Sequence, residues 1–255
     1  MFNFWPILKR ELRVYFNSPI AYAVLFIFLV VSGFFFYSLV GNFVMISFQA
    51  ARNPYIQGLN VVDRVISPMF ANLGVIMLLM MPLFTMRLFA EEKKSGTYEL
   101  LFSYPLRDLD VLLGKYLAAL VLFVLMIALT VVNHLLLWAV GASAPGVSIA
   151  GFVGLFMMGA AFIALGVFVS STTENQIVAA VITFGMLLLF WIVGWAAYST
   201  GPPLAEFLQY ISLTKHIGNF AQGVIDTADV AYYLLFTFFF LFLTLRSLES
   251  KRWRG

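Results

Sequence analysis

Long apolar runs separated by short polar stretches set the pattern of this chain. A bilayer core about 30 Å thick and a helical rise of about 1.5 Å per residue call for roughly 20 mostly apolar residues per crossing. Six runs meet or approach that length: 20–40, 69–88, 117–140, 149–169, 177–198 and the shorter 230–245. The second contains Pro82, a kink point that can be static or moving, and carries Arg87 near its end. The sixth needs interfacial help from Tyr232 and Tyr233 on one side and Arg246 on the other. The pattern therefore predicts an all-α integral membrane protein with six transmembrane helices, residues 1–255 forming a single transmembrane domain.

Two amphipathic stretches lie outside the spans. In residues 1–19, Lys9, Arg10 and Arg13 are interleaved with Trp5, Leu8 and Leu12, unlike the charge-then-apolar order of a cleavable signal. At helical spacing this predicts an interfacial helix with Trp5, Leu8 and Leu12 toward lipid and the basic side chains toward headgroups, ended by Asn17-Ser18-Pro19. Near the other end Gly201-Pro202-Pro203 stops the fifth span, and Leu204, Phe207, Leu208 and Ile211 then recur at i, i+3, i+4 and i+7. By spacing alone that is an amphipathic helix resting among outer headgroups. The stretch from Gly41 to Pro68 reads as the first outer loop, too short for a substrate-binding domain, so outer recognition would need an auxiliary extracytoplasmic protein.

Composition agrees with the pattern: 62% of the 255 residues are hydrophobic, with only 15 Lys or Arg and 12 Asp or Glu. Such a chain cannot hide its apolar surface as a soluble globule. Zero cysteines excludes disulfides, thiol catalysis and Fe–S clusters, and a net charge of +3 gives no reason to expect nucleic acid. Placed on six spans with both ends inside, twelve of the basic residues fall on the inner side and only Arg52, Arg64 and Lys215 outside. This is a strong positive-inside asymmetry and predicts a multi-pass protein with both termini cytoplasmic.

Enzyme chemistry finds little support. No Asp or Glu lies at mid-membrane depth, which argues against a carboxylate ion relay. His134, beside Asn133, offers a ligand or proton acceptor, yet with no second histidine or carboxylate at ligand spacing a neutral histidine bonded to a neighbouring helix is the better reading. The sequence contains no HExxH, GxSxG or GxxxxGK[ST], so no phosphate loop of its own. Met77, Met80, Met81 and Met86 fit flexible core packing better than a copper path.

Charge gathers between the second and third spans, in residues 91–110 and on to Gly114-Lys115. By pattern alone this is either a docking surface for a soluble partner or a helix among headgroups. The run Ala90-Glu91-Glu92-Lys93-Lys94-Ser95-Gly96-Thr97-Tyr98-Glu99-Leu100-Leu101, followed by Pro105 and Leu113-Gly114-Lys115-Tyr116, resembles the E-E-x-x-x-G-T-x-E-x-L-L…P…G-K signature of ABC-2 type transporter permeases. Lys9-Arg10-Glu11-Leu12 and Asn17-Ser18-Pro19 resemble that family's opening helix. Ile211-Ser212-Leu213, His216, Phe220, Gly223-Val224-Ile225-Asp226 and the tail Leu248 to Trp253 resemble its gliding-motility-type branch.

The resemblance implies one membrane-spanning permease subunit of an ATP-binding cassette transporter, of the bacterial inner membrane. It would pair with a second permease copy, a homodimer or a paired homologue, in contact with membrane lipid. Separate ATP-binding cassette ATPase subunits would bind ATP and Mg, this chain holding no cofactor and no metal, and would drive export or extraction of a substrate. On the same footing Glu91, Glu92, Ser95, Gly96, Thr97 and Glu99 fall on a coupling helix docked in the ATPase, with Glu174 and Asn175 in the other cytoplasmic loop as a second contact. Phe207, Leu208 and Ile211 would belong to a re-entrant outer helix pair that caps the exit of the translocation path, the alternative being a helix among the outer headgroups. A multi-pass membrane enzyme, an ATP-independent channel and a passive scaffold are the competing classes.

Overall fold

The computed structural model describes residues 4–53, 59–97, 107–142 and 144–252. In chain order the helices are α1 (Phe4–Phe16), α2 (Pro19–Arg52), α3 (Ser67–Thr85), α4 (Arg87–Lys94), α5 (Asp108–Ala139), α6 (Pro145–Thr172), α7 (Gln176–Ala196), α8 (Pro202–Ile211), α9 (Leu213–Ala221) and α10 (Thr227–Arg252). A π-helical turn, Val62–Ile66, leads into α3, and a 3₁₀ turn, Ala197–Ser199, follows α7. Six helical stretches are long and apolar enough to cross a membrane: α2, the run Val62–Lys94, α5, α6, α7 and Thr227–Ser250 within α10.

Local chemistry sets many of the boundaries. Pro19, Pro145 and Pro202 each sit in the first turn of their helix, where a missing N–H costs nothing. Asn175 caps α7, its Oδ1 accepting from the N–H of Ile177 at 2.9 Å. Gly141 and Gly223 take positive φ just after α5 and α9.

Two expectations about length are corrected. Gly41 does not open a loop: α2 continues through it to Arg52, 34 residues or about 51 Å, well beyond the hydrocarbon thickness. The sixth span is not short either, since the crossing helix within α10 runs 24 residues, Thr227–Ser250, and Tyr233 is buried inside the fold instead of marking the membrane interface.

The core is organised around α6, which packs against α3, α5, α7, α9 and α10. Lipid offers helices no hydrophobic drive to associate, so close packing must come from small residues. On α6 Gly151 receives the ring of Phe70, Gly154 that of Phe220, Gly159 that of Phe123, and Gly166 the hydroxyl-bearing side chain of Thr85. By contrast α2, α7 and α10 keep most of their apolar side chains at the surface, as helices facing lipid do.

Helix α1 departs from its expected orientation. Ile7, Leu8, Glu11 and Tyr15 form its buried face, so Leu8 points into the protein and not toward lipid, while Trp5 stays 65% exposed. The face lies on α5. Contact is tight at Gly114, where a Cβ would come within 2.7 Å of the Ile7 side chain and 3.1 Å of the Phe4 carbonyl oxygen.

Candidate functional site

The charged segment after the second span begins at a break in the backbone ladder. Helix α3 runs through Pro82 to Thr85, so the interruption falls at Met86, where the expected kink point was Pro82. Its cause lies on another helix: the Ser170 hydroxyl, from the end of α6, donates to the Met86 carbonyl at 2.9 Å and accepts from the N–H groups of Phe89 at 3.0 Å and Ala90 at 3.2 Å. A side chain inserted in this way takes over bonds the helix would make to itself, one of the physical origins of a helix kink. The Lys93 ammonium donates to the carbonyl of Ser171, so the segment is tied twice to the end of α6.

Beyond the break, α4 is amphipathic: Leu88, Phe89, Ala90 and Glu92 face inward and Glu91 outward. Four charges meet under it. Lys115, 1% exposed, places Nζ 3.0 Å from Glu11 and 3.0 Å from Glu92 and donates to the Leu88 carbonyl at 2.6 Å. Arg10, on the outer flank of α1, bridges Glu92 and stands 3.4 Å from Glu11. Two cations and two carboxylates thus bind α1, α4 and α5 to one another in a balanced set, which keeps the cost of burying charge down. Tyr15 adds a bond from its hydroxyl to the Phe84 carbonyl at 2.7 Å, and burial pushes its phenol well above the usual tyrosine range.

The turn after α4 is built from its own side chains. Ser95 and Thr97 both donate to the Glu92 carbonyl, at 3.2 and 3.4 Å, and Gly96 reverses the chain at φ +70°, a conformation that costs a side-chain-bearing residue about 1–2 kcal/mol. Ser95, Gly96, Thr97 and Glu91 are exposed. Glu92 is not: among the expected coupling residues it is turned inward, against the reading of both acidic positions as contacts for a partner. Glu99, with Pro105 of the same signature, lies outside the described residues. In the second loop Glu174 and Asn175 are exposed, and Asn175 is occupied as the cap of α7. The lattice of Ser170, Ser171 and Lys93 brings the two loops to one end of the bundle.

At the far end α9, not α8, closes over the core. Leu213, His216, Ile217 and Phe220 of α9 are buried, whereas α8 buries none of its residues and leaves Phe207 60% exposed, with Leu208 and Ile211 half-buried. The closure is held by His216: Nε2 donates to the Tyr210 carbonyl at 2.9 Å, Nδ1 faces Asp229 Oδ1 at 2.6 Å, and the ring stacks on Tyr232 at 3.9 Å. Asn219 donates to the other Asp229 oxygen at 2.8 Å. Tyr232 and Tyr233 donate to the carbonyls of Ile211 and Leu213, which ties α10 to both short helices. Nothing in the local pattern announces this arrangement; His216 and Asp229 are thirteen residues apart and meet only through the Gly223 turn.

The remaining candidates are packing. His134 lies between Phe70 and Phe152, ring centroids 5.1 and 4.8 Å away, beside an apolar cavity of about 360 Å³; its ring makes no helix-to-helix hydrogen bond, and Asn133 supplies one instead, to Ser32 at 3.4 Å. Met77 and Met81 are fully buried in the core. No group of three His, Cys, Asp or Glu side chains able to hold a metal occurs among the described residues.

The signal that sequence reasoning missed is long-range. Glu11 and Lys115 are 104 positions apart, and each reads as an ordinary surface charge until α1 is laid on α5. No curated protein matches the chain. The family model of the ABC-2 family transporter protein matches residues 5–249, almost all of it, and on that match, with six membrane-crossing helices and a charged signature segment, the chain belongs to the ABC-2 transporter family as a membrane subunit.

Proposed function

We propose that this chain is the permease of an ATP-driven exporter or extraction machine and that the exposed residues Glu91 and Ser95–Thr97 mark where a separate ATPase subunit pushes. The reading is carried by one observation: the helix that carries the exposed turn is fixed to the bundle twice, through Lys115 to α1 and α5 and through Ser170 to α6. A force on that turn is passed to three membrane elements, because packed helices shift between discrete arrangements and do not deform smoothly. Glu91, Ser95 and Thr97 make the contact, Gly96 shapes the turn, Glu92 anchors it from within, and Glu174 and Asn175 border the same surface. ATP and Mg are bound and hydrolysed on the partner.

The exposed apolar faces of α2, α7 and α10 leave room for a second permease copy as well as lipid. The basic end faces the cytoplasm of a bacterial inner membrane, following the charge asymmetry. The decisive experiment is co-expression with candidate ATP-binding cassette subunits from the same genome. The reading expects a detergent-stable complex containing both chains, whose ATP turnover changes when Thr97 is replaced by Trp. Failure of the chain to retain an ATPase subunit, with turnover indifferent to Thr97→Trp, sinks it.

A further inference from the structure

From Tyr116 to Thr173 no residue is charged, the connection between α5 and α6 included, so no ionised side chain draws this corner of the bundle out of the apolar layer. The apolar cavity of about 360 Å³ lies here, between the last two turns of α5 and the first two of α6. Small side chains make the space: Ala142, Ala144 and Ser148 line it where larger residues would fill it.

The cavity has a rim and a floor. Leu135, Trp138 and Ile149 line it and are each more than half exposed, whereas Ile66 and Leu137, on the same cavity, are buried in the fold. It therefore leads inward from a surface that meets the bilayer, on two helices that both cross it.

Its chemistry narrows what can fill it. An ordered water asks for two to four polar partners. Among the described lining residues only Ser148, Trp138 and His134 carry a polar side-chain group, and both ring nitrogens of His134 are buried away from any partner. No charged side chain lines the cavity among the described residues, so an ionised ligand finds no counter-charge there. An apolar cavity of about 150 Å³ stays dry and takes up benzene, and on that scale about 360 Å³ has space for roughly fourteen carbons.

We propose that this cavity is a binding site for one acyl chain of a membrane phospholipid, with Leu135, Trp138 and Ile149 at its mouth and Leu137 and Ile66 at its inner end. The ligand is held by its chain alone, while the headgroup stays outside and keeps the chain in place. A free fatty acid would bring a carboxylate for which the lining has no cation. The bound chain completes the packing between α5 and α6 that the small residues leave open, each of its carbons gaining contacts on several sides. The site lies at the end of these helices away from Lys115 and Ser170, does not depend on any ATPase contact, and is tested without one.

The test places the full chain in phosphatidylcholine vesicles containing a trace of phosphatidylcholine with a photoactivatable diazirine midway along one acyl chain. After illumination, labelled residues are mapped by peptide mass spectrometry. Label is expected on Leu137 and Ile66, which lipid resting against the outer surface of the helices cannot touch. Ser148→Phe, which puts a ring into the cavity, should lower that label about tenfold, whereas Leu136→Phe, the same ring at an exposed position off the cavity, should leave it unchanged. Should Ser148→Phe not fold, the unsubstituted chain decides. Label on Leu137 and Ile66 at least as strong as on Leu189, an exposed residue of α7, supports the site. Weaker label there, or label undiminished in folded Ser148→Phe, overturns it. Palmitate carrying the same diazirine, if it labels the floor more strongly than the phospholipid at equal concentration, also overturns it by making a free fatty acid the ligand.

Discussion

Lys115 and Glu11, 104 residues apart, meet at 3.0 Å in the buried seam between α5 and α1, and the same ammonium reaches Glu92 on α4. Removing the cation leaves two carboxylates facing each other with only the half-exposed Arg10 between them. Lys115→Met should therefore destabilise the chain by about 3–5 kcal/mol, the cost of breaking a buried charged set by deleting one member. In a double-mutant cycle with Glu11→Gln the two effects should fall short of additivity by at least about 1 kcal/mol, measured by denaturant unfolding in detergent.

Ser170→Ala addresses the break at Met86. Without the hydroxyl, the Ala90 N–H can return to the Met86 carbonyl, so net stability should change by no more than about 1 kcal/mol. Shape is the better readout. The absence of native cysteines allows spin labels at Leu79→Cys and Glu91→Cys alone, and their separation should lengthen toward the span of a straight helix, about 1.5 Å per residue. An unchanged distance distribution would locate the cause of the break elsewhere.

Much of this was legible in the sequence, and the failures have physical reasons. Apolar runs announced all six spans, because crossing a bilayer constrains length and polarity together. Their ends are not legible where helix continues past the hydrocarbon: α2 runs through Gly41 and Asn42 to Arg52 because polar residues leave a membrane without leaving a helix. Glu92 reads as a twin of Glu91, yet a 100° step per residue turns one inward and the other out. The partners of Glu92, Lys115 and Arg10, come from distant parts of the chain, and no local window contains them. Ser170 likewise looks like any loop-edge serine until α6 is packed against α4.

Glycines on α6 and α7 should separate cleanly. A Cβ on Gly166 would lie 2.1 Å from the Thr85 hydroxyl oxygen, and Thr85 is itself fully buried, so Gly166→Ala should cost about 1–3 kcal/mol by overpacking. Gly185, inside α7, has nothing within 4 Å of its would-be Cβ, and Gly185→Ala should be neutral or stabilise by up to about 1 kcal/mol. Thermal unfolding of the two variants side by side checks the packing of the central helix.

The far-end closure depends on Asp229, which serves both His216 and Asn219. Asp229→Ala removes the partner of His216 Nδ1 and of the Asn219 amide and should cost about 1–3 kcal/mol. His216→Phe preserves the stack on Tyr232 but loses both polar contacts, so it should fall between Asp229→Ala and the unsubstituted chain. Protease accessibility of the α8–α9 segment reports the loosening directly.

The central claim is that an ATPase subunit presses on the exposed turn after α4. Single cysteines at Thr97, Glu174 and, at the opposite end, Lys215, each carrying a short photo-crosslinker in the assembled complex, test it most directly. The account predicts cross-links to the ATP-binding subunit from Thr97 and Glu174 that change in yield when ATP is trapped, and none from Lys215. Cross-links from Lys215 with Thr97 silent would contradict it.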